Sequence, residues 1–204
     1  MSTNDIAIKI SDIHVSFGNH HVLRGASGII RRGSIVTFLG RNGCGKSTLL
    51  KTVTGNLKPQ QGSIEIDGRP LSSYSSDEMA RVVAFLPQFH DVPKDMTAEE
   101  LVSCGRYPYQ HWWSGVSTRD REVVAEVMEK TNTTSGGERQ RVWIAMALAQ
   151  EPKILILDEP TTYLDVCHQL EVMELVSRLN REENLTVVMV LHEINQAVRY
   201  STDL

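Results

Sequence analysis

The chain is expected to fold as an α/β domain with a mainly parallel sheet, an antiparallel β subdomain and a small helical subdomain. Three observations predict this. Short apolar runs at 34–39, 153–157 and 186–191 each lead, through a glycine-rich loop or a polar strand end, to a helix-like segment. Strands buried on both faces read this way, and their alternation with helices implies a parallel sheet. The stretch 6–17 instead alternates in places (IAIKI, IHVSF), as a half-exposed antiparallel strand does. Between them lie serine and threonine capping patterns that mark helix starts.

The elements follow in order. Residues 6–17 form a strand, 18–21 a turn, and 22–30 a second strand interrupted by Gly25 and Gly28. Arg31-Arg32-Gly33 turns into the buried strand 34–39, and 47–53 reads as the next helix. Ser63 to Gly68 is a strand ending in an Asp-Gly turn. Ser75-Ser76-Asp77-Glu78 and Thr97-Ala98-Glu99-Glu100 have capping-box spacing, with a strand at 82–86 between them. Residues 117–130 are helical with a polar start. Ser135-Gly136-Gly137-Glu138 is a third capping pattern, before the apolar helix 142–149. Pro152 breaks that helix. Strand 153–157 ends on Asp158-Glu159, helix 164–180 follows, strand 186–191 ends on His192, and a last helix runs to about Tyr200.

The 204 residues suit one domain, with the helical subdomain at about 89–150. The net charge of -4 comes from interspersed residues, so no basic excess points to nucleic acid. Three widely spaced cysteines, Cys44, Cys104 and Cys167, lack zinc spacing and fit a reducing compartment. The N-terminus is polar and alternating, unlike a signal peptide. The longest apolar run, 142–149, is far short of the roughly 20 residues that span a bilayer. A soluble chain is expected, reaching a membrane only through a partner.

Gly40-Arg41-Asn42-Gly43-Cys44-Gly45-Lys46-Ser47-Thr48 fits the phosphate-loop pattern GxxxxGK[ST]. Glycines let successive N–H groups point at phosphate oxygens, and the following helix adds the positive end of its dipole. Lys46 would reach the β- and γ-phosphates of ATP, and Ser47 would offer a hydroxyl to Mg²⁺. The loop sits between a buried strand and a helix, where that geometry requires it. Cys44 occupies a variable position.

Asp158 ends a buried strand, where a carboxylate can hold Mg²⁺ directly or through water. Glu159 points elsewhere and is the expected general base for the attacking water. His192 ends its strand in the same way. In a parallel sheet these ends gather beside the phosphate loop, so His192 is expected to touch the γ-phosphate.

Ser135-Gly136-Gly137-Glu138-Arg139-Gln140 adds a second anion site, two glycines at a helix start behind a serine cap. A second such site in a nucleotide-binding chain suggests a second nucleotide. SGGERQ resembles the signature motif of ATP-binding cassette (ABC) ATPases, which closes over the ATP held by the opposite subunit. The resemblance extends over almost the whole chain. Gln88 in FLPQ matches the Q-loop glutamine, which contacts Mg²⁺ and the attacking water. Asp158 and Glu159 match the Walker B aspartate and catalytic glutamate, His192 the switch histidine, and Thr161-Thr162-Tyr163-Leu164-Asp165 the D-loop. Phe17 falls where the family stacks an aromatic ring on adenine. Cys104-Gly105-Arg106-Tyr107-Pro108 and Ser117-Thr118-Arg119-Asp120-Arg121-Glu122 are similar to importer ATPases for iron–siderophore, haem and vitamin B12.

The resemblance implies a P-loop ABC ATPase at the cytoplasmic face of the cell membrane. It would work as a homodimer with an integral-membrane permease and, indirectly, a substrate-binding protein. Each site would join Lys46, Ser47, Gln88, Asp158, Glu159 and His192 of one subunit to Ser135, Gly136, Gly137 and Glu138 of the other. His111, Trp112 and Trp113 either dock the permease or pack locally within the helical subdomain. Two features depart from the family. Thr134 stands where leucine opens the signature, and the segment before it is short: either the chain is abbreviated there or, as the abrupt join Thr131-Asn132-Thr133-Thr134 favours, a stretch is missing near 131–134. The family also continues beyond Leu204. The competing readings are a non-transport ABC ATPase acting on nucleic acid or ribosomes, and a nucleotide-binding regulatory module without hydrolysis.

Overall fold

The computed structural model describes residues 5–88, 96–110, 115–133 and 139–202. Two four-stranded sheets organise it. The antiparallel sheet has the order β2-β1-β4-β5, from β1 (Ile6–Phe17), β2 (His20–Arg31), β4 (Gln61–Ile66) and β5 (Arg69–Pro70). The parallel sheet has the order β3-β8-β7-β6, from β3 (Ile35–Phe38), β6 (Val83–Leu86), β7 (Ile154–Asp158) and β8 (Thr186–Val190). Every pair in it is parallel, so all four carboxyl ends lie along one edge.

The period-two alternation of the buried strands divides the core into two layers. Ile154, Ile156, Val188, Val190 and Val36 face the antiparallel sheet, meeting Ile8, Ile13, Val15 and Ile66. Leu50 and Val53 of α1 (Lys46–Val53) belong to the same layer, so the helix after the phosphate loop packs against both sheets. Leu155, Leu157, Val187 and Met189 point the other way. They are covered by α5 (Arg139–Leu148) and α6 (Val166–Glu183), with α3 (Ala98–Ser103) and α4 (Thr118–Lys130) alongside. All five residues of β7 are buried, which explains the apolar run Ile154 to Leu157 that leads to Asp158.

Local chemistry sets the ends. Two of the three expected capping boxes form: Ser75 caps α2 (Ser76–Ala80) with Glu78, and Thr97 caps α3 with Glu100. Ser117 and Asp120 make a further box at α4. The pattern at Ser135-Gly136-Gly137-Glu138 lies outside the described residues, as do His111, Trp112 and Trp113. Helix α6 starts and stops later than its expected span of 164–180. The Asp165 side chain accepts from His168 N at 3.0 Å as the cap, which starts the helix at Val166, and Tyr163 just upstream belongs to a turn at φ +68°. Asn184, left-handed at φ +53°, ends the helix. Strand β2 begins at His20 instead of Val22 and runs unbroken through Gly25 and Gly28. Bulges in the β1–β2 ladder absorb the irregularity, including one where Asp12 adopts φ +51°. The last helix, α7, spans Ile194–Tyr200.

One buried ion pair braces the helical layer. Arg106 and Asp120 have side chains only 3% and 6% exposed and meet at 2.9 Å. Arg106 also donates to Ala149 O at 2.6 Å and to Glu151 at 2.8 Å, and its guanidinium stacks 4.0 Å above Tyr109. It thereby ties the 3-10 turn Cys104–Tyr109 to α4 and to the end of α5.

Candidate functional site

The four carboxyl ends of the parallel sheet supply the candidate site. The 40–48 loop follows β3, Gln88 follows β6, Asp158 and Glu159 close β7, and His192 follows β8. Because β3 pairs with β8, β8 with β7, and β7 with β6, residues far apart in sequence meet along one edge.

The loop owes its shape to glycine. Gly43 and Gly45 have φ values of +80° and +101°, which side-chain-bearing residues rarely adopt. Gly45 caps α1, and a Cβ there would stand 2.9 Å from Leu23 Cδ2 and 3.3 Å from Val22 O. The antiparallel sheet therefore presses on the start of α1. The same hairpin carries Phe17, exposed at the β1–β2 turn. Gly40 is crowded differently, since a Cβ would meet Cys44 Sγ at 2.8 Å. Lys46 Nζ donates to Gly40 O at 2.7 Å and Arg41 O at 3.1 Å, so its ammonium lies over its own loop. Thr48 sits in the first turn of α1. Cys44 is exposed.

A cavity of about 290 Å³ is lined by Asn42, Gly43, Gly45, Lys46, Ser47, Gln88, Glu159 and His192. Asp158 lies beside it, 4% exposed, and Ser47 Oγ donates to its Oδ1 at 3.2 Å. Burial pushes the Asp158 carboxyl above the ordinary carboxylate range, and the adjacent Glu159 adds to this against the Ser47 hydrogen bond. A buried carboxylate and a hydroxyl form a hard oxygen pair suited to Mg²⁺, which completes its shell with water and phosphate oxygens.

Glu159 turns away from Asp158, at a φ of +54°. Its Oε1 meets His192 Nε2 at 2.5 Å. Its Oε2 accepts from Gln88 Nε2 at 2.5 Å and from Thr162 Oγ1 at 3.0 Å. Gln88 thus engages Glu159 through its amide nitrogen, leaving the carbonyl oxygen as the atom that would suit a cation. His192, expected against a γ-phosphate, lines the cavity while holding Glu159. Thr162 was named in sequence only as part of a loop. Its link to Glu159 has no signal beyond a hydroxyl three residues downstream, because the intervening turn decides it. The expected site residues Ser135, Gly136, Gly137 and Glu138 lie outside the described residues.

The family described as ABC transporter matches residues 23–162. The chain is 42% identical to the petrobactin import ATP-binding protein FpuC of Bacillus anthracis, over 97% of its own length and 76% of that protein's. It is 40% identical to the ferric enterobactin transport ATP-binding protein FepC of Escherichia coli strain K12, covering 100% of the chain and 79% of FepC. A solved dimeric ATP-binding cassette in a post-hydrolysis state, bound to ADP and Pi, superposes with a TM-score of 0.77 at 29% identity, over 95% of this chain and 91% of that one. No helix among the described residues is long and apolar enough to cross a membrane. Loop, acidic strand end, glutamine and histidine thus meet in one cleft, and the chain belongs to the ATP-binding subunits of ABC transporters, which bind ATP and couple its hydrolysis to transport.

Proposed function

We propose that this chain powers uptake of an iron–siderophore complex through a membrane permease, from the cytoplasmic face of the membrane and as a homodimer. Among iron–siderophore, haem and cobalamin, the petrobactin and enterobactin relatives favour the first. A substrate-binding protein would deliver the chelate to the permease.

The observation that carries the catalytic reading is the convergence of Lys46, Ser47, Gln88, Glu159 and His192 on one cavity, with Asp158 at its edge. The 40–48 loop and the start of α1 bind the phosphates, with Lys46 neutralising the β- and γ-oxygens. Ser47 and Asp158, with the Gln88 carbonyl oxygen, would hold Mg²⁺. When bound, the ion offsets charge on the phosphates. Glu159 orients the attacking water and takes its proton, and Gln88 and His192 fix the carboxylate for that task. Phe17 would stack on the adenine. Ser135, Gly136, Gly137 and Glu138 of one copy would close over the nucleotide held by the other, consistent with two-fold pairing.

Replacing Glu159 with glutamine tests this directly. Turnover should fall by roughly 10²–10⁴ while ATP still binds. Wild-type turnover in Glu159→Gln would remove Glu159 from the mechanism. For the cargo, the chain reconstituted with its permease in vesicles should hydrolyse ATP faster with a loaded iron–siderophore binding protein than with haem or cobalamin. The reverse order would overturn the assignment.

A further inference from the structure

We infer that Thr162 is a positioning residue for ATP hydrolysis, fixing the carboxylate of Glu159 through its hydroxyl. The inference rests on the reading of Glu159 as the base. Thr162 bonds Glu159 twice. Its amide N–H donates to the Glu159 backbone carbonyl at 3.2 Å, and its Oγ1 donates to Oε2 at 3.0 Å. The turn that permits both bonds is bounded by two left-handed residues, Glu159 at φ +54° and Tyr163 at φ +68°. Such conformations are costly for non-glycine residues and persist where surrounding contacts enforce them.

The carboxylate stands in a wall between two spaces. Glu159 and His192 line both the 290 Å³ cavity beside the phosphate loop and a second cavity of about 160 Å³ behind them. Gln88 lines the first space and Thr162 the second. Both donate to the same oxygen, Oε2, so they hold it from opposite sides of the wall. Without the Thr162 hydroxyl, Oε2 keeps the Gln88 bond but loses its restraint from behind. The carboxylate then samples more orientations, and fewer of them present a lone pair to water in the cavity. The defect should appear in the chemical step and leave nucleotide binding intact, because Thr162 is not part of the phosphate loop.

Steady-state ATP hydrolysis by the full chain with Mg²⁺ tests this. Thr162→Val keeps the side-chain shape and removes the donor. It should lower kcat about tenfold, equivalent to about 1.4 kcal/mol, with KM for ATP near the wild-type value. Thr162→Ser restores the donor and should recover most of the loss. In a Glu159→Gln background, Thr162→Val should cost nothing further, since the group it positions is no longer a base. Thr162→Ala serves in place of valine if valine impairs folding. An unchanged kcat, a loss confined to KM, failure of serine to rescue, or an added loss on Glu159→Gln would each overturn the role of Thr162. Wild-type turnover in Glu159→Gln alone would instead overturn the reading beneath it.

Discussion

Replacing Gly45 with alanine should damage both stability and nucleotide binding, and the structure separates two causes. The first is backbone strain. At φ +101° an alanine pays the penalty of a left-handed conformation, about 1–2 kcal/mol. The second is crowding. The new Cβ would stand 2.9 Å from Leu23 Cδ2, 3.1 Å from Val22 Cγ1 and 3.3 Å from Val22 O. One of these contacts is backbone, so β2 or the start of α1 must shift, and overpacking of this kind costs about 1–3 kcal/mol. Gly43→Ala is the internal control. Gly43 has φ +80° with nothing within 4 Å, so it carries strain without crowding. Both variants should melt below the wild type, and Gly45→Ala should melt lower than Gly43→Ala. For a chain of this size the gap is about 2–4 °C for each kcal/mol of crowding. The assay is thermal unfolding followed by circular dichroism, paired with fluorescent-nucleotide titration. ATP affinity should fall with Gly45→Ala, because displacing the helix start moves the N–H groups that face phosphate. Equal melting temperatures for the two variants would refute the crowding argument, and wild-type melting of both would refute the strain argument.

Other perturbations follow from the same geometry. Arg106→Met should cost about 3–5 kcal/mol, since it strands the buried Asp120. Burial alone would raise the Asp120 carboxyl, but hydrogen bonds from Arg106 and Ser117 outweigh it and hold it below the ordinary range. That contribution is present above the unfolded carboxylate pKa and disappears as pH falls through the folded one. The stability gap between wild type and Arg106→Met, read from urea unfolding, should therefore narrow in acid. Ser47→Ala removes the hydroxyl beside Asp158. It should raise the Mg²⁺ needed for half-maximal hydrolysis by about tenfold or more, while metal-free ATP binding changes little. Glu78 is held at about 2 by Arg69 and by the Ser75 hydrogen bonds of its capping box. Glu78→Gln should lose part of the acid sensitivity of unfolding between the ordinary glutamate range and that value, measured by acid titration of helicity.

The continuous apolar run from Ile154 to Leu157 was readable because a strand covered on both faces has no polar side to interrupt it. The Gly43, Gly45 and Lys46 pattern was readable because a phosphate cradle needs those backbone freedoms in a short contiguous span. Both are local demands, so they leave local marks. Helix α6 starts two residues later than its apolar pattern suggests, because the Asp165 side chain caps it after a turn in which Tyr163 is left-handed, a conformation its own side chain does not advertise.

By itself the sequence determined the phosphate loop, the acidic strand end, the terminal histidine and the two kinds of sheet. Each rests on residues adjacent in the chain or on a simple period. Only the tertiary structure decided that Gln88, Thr162 and His192 converge on one carboxylate. That convergence depends on the strand order β3-β8-β7-β6 and on one left-handed turn. Sheet order is set by which faces bury together, a sum over dozens of distant contacts that no short stretch of sequence records.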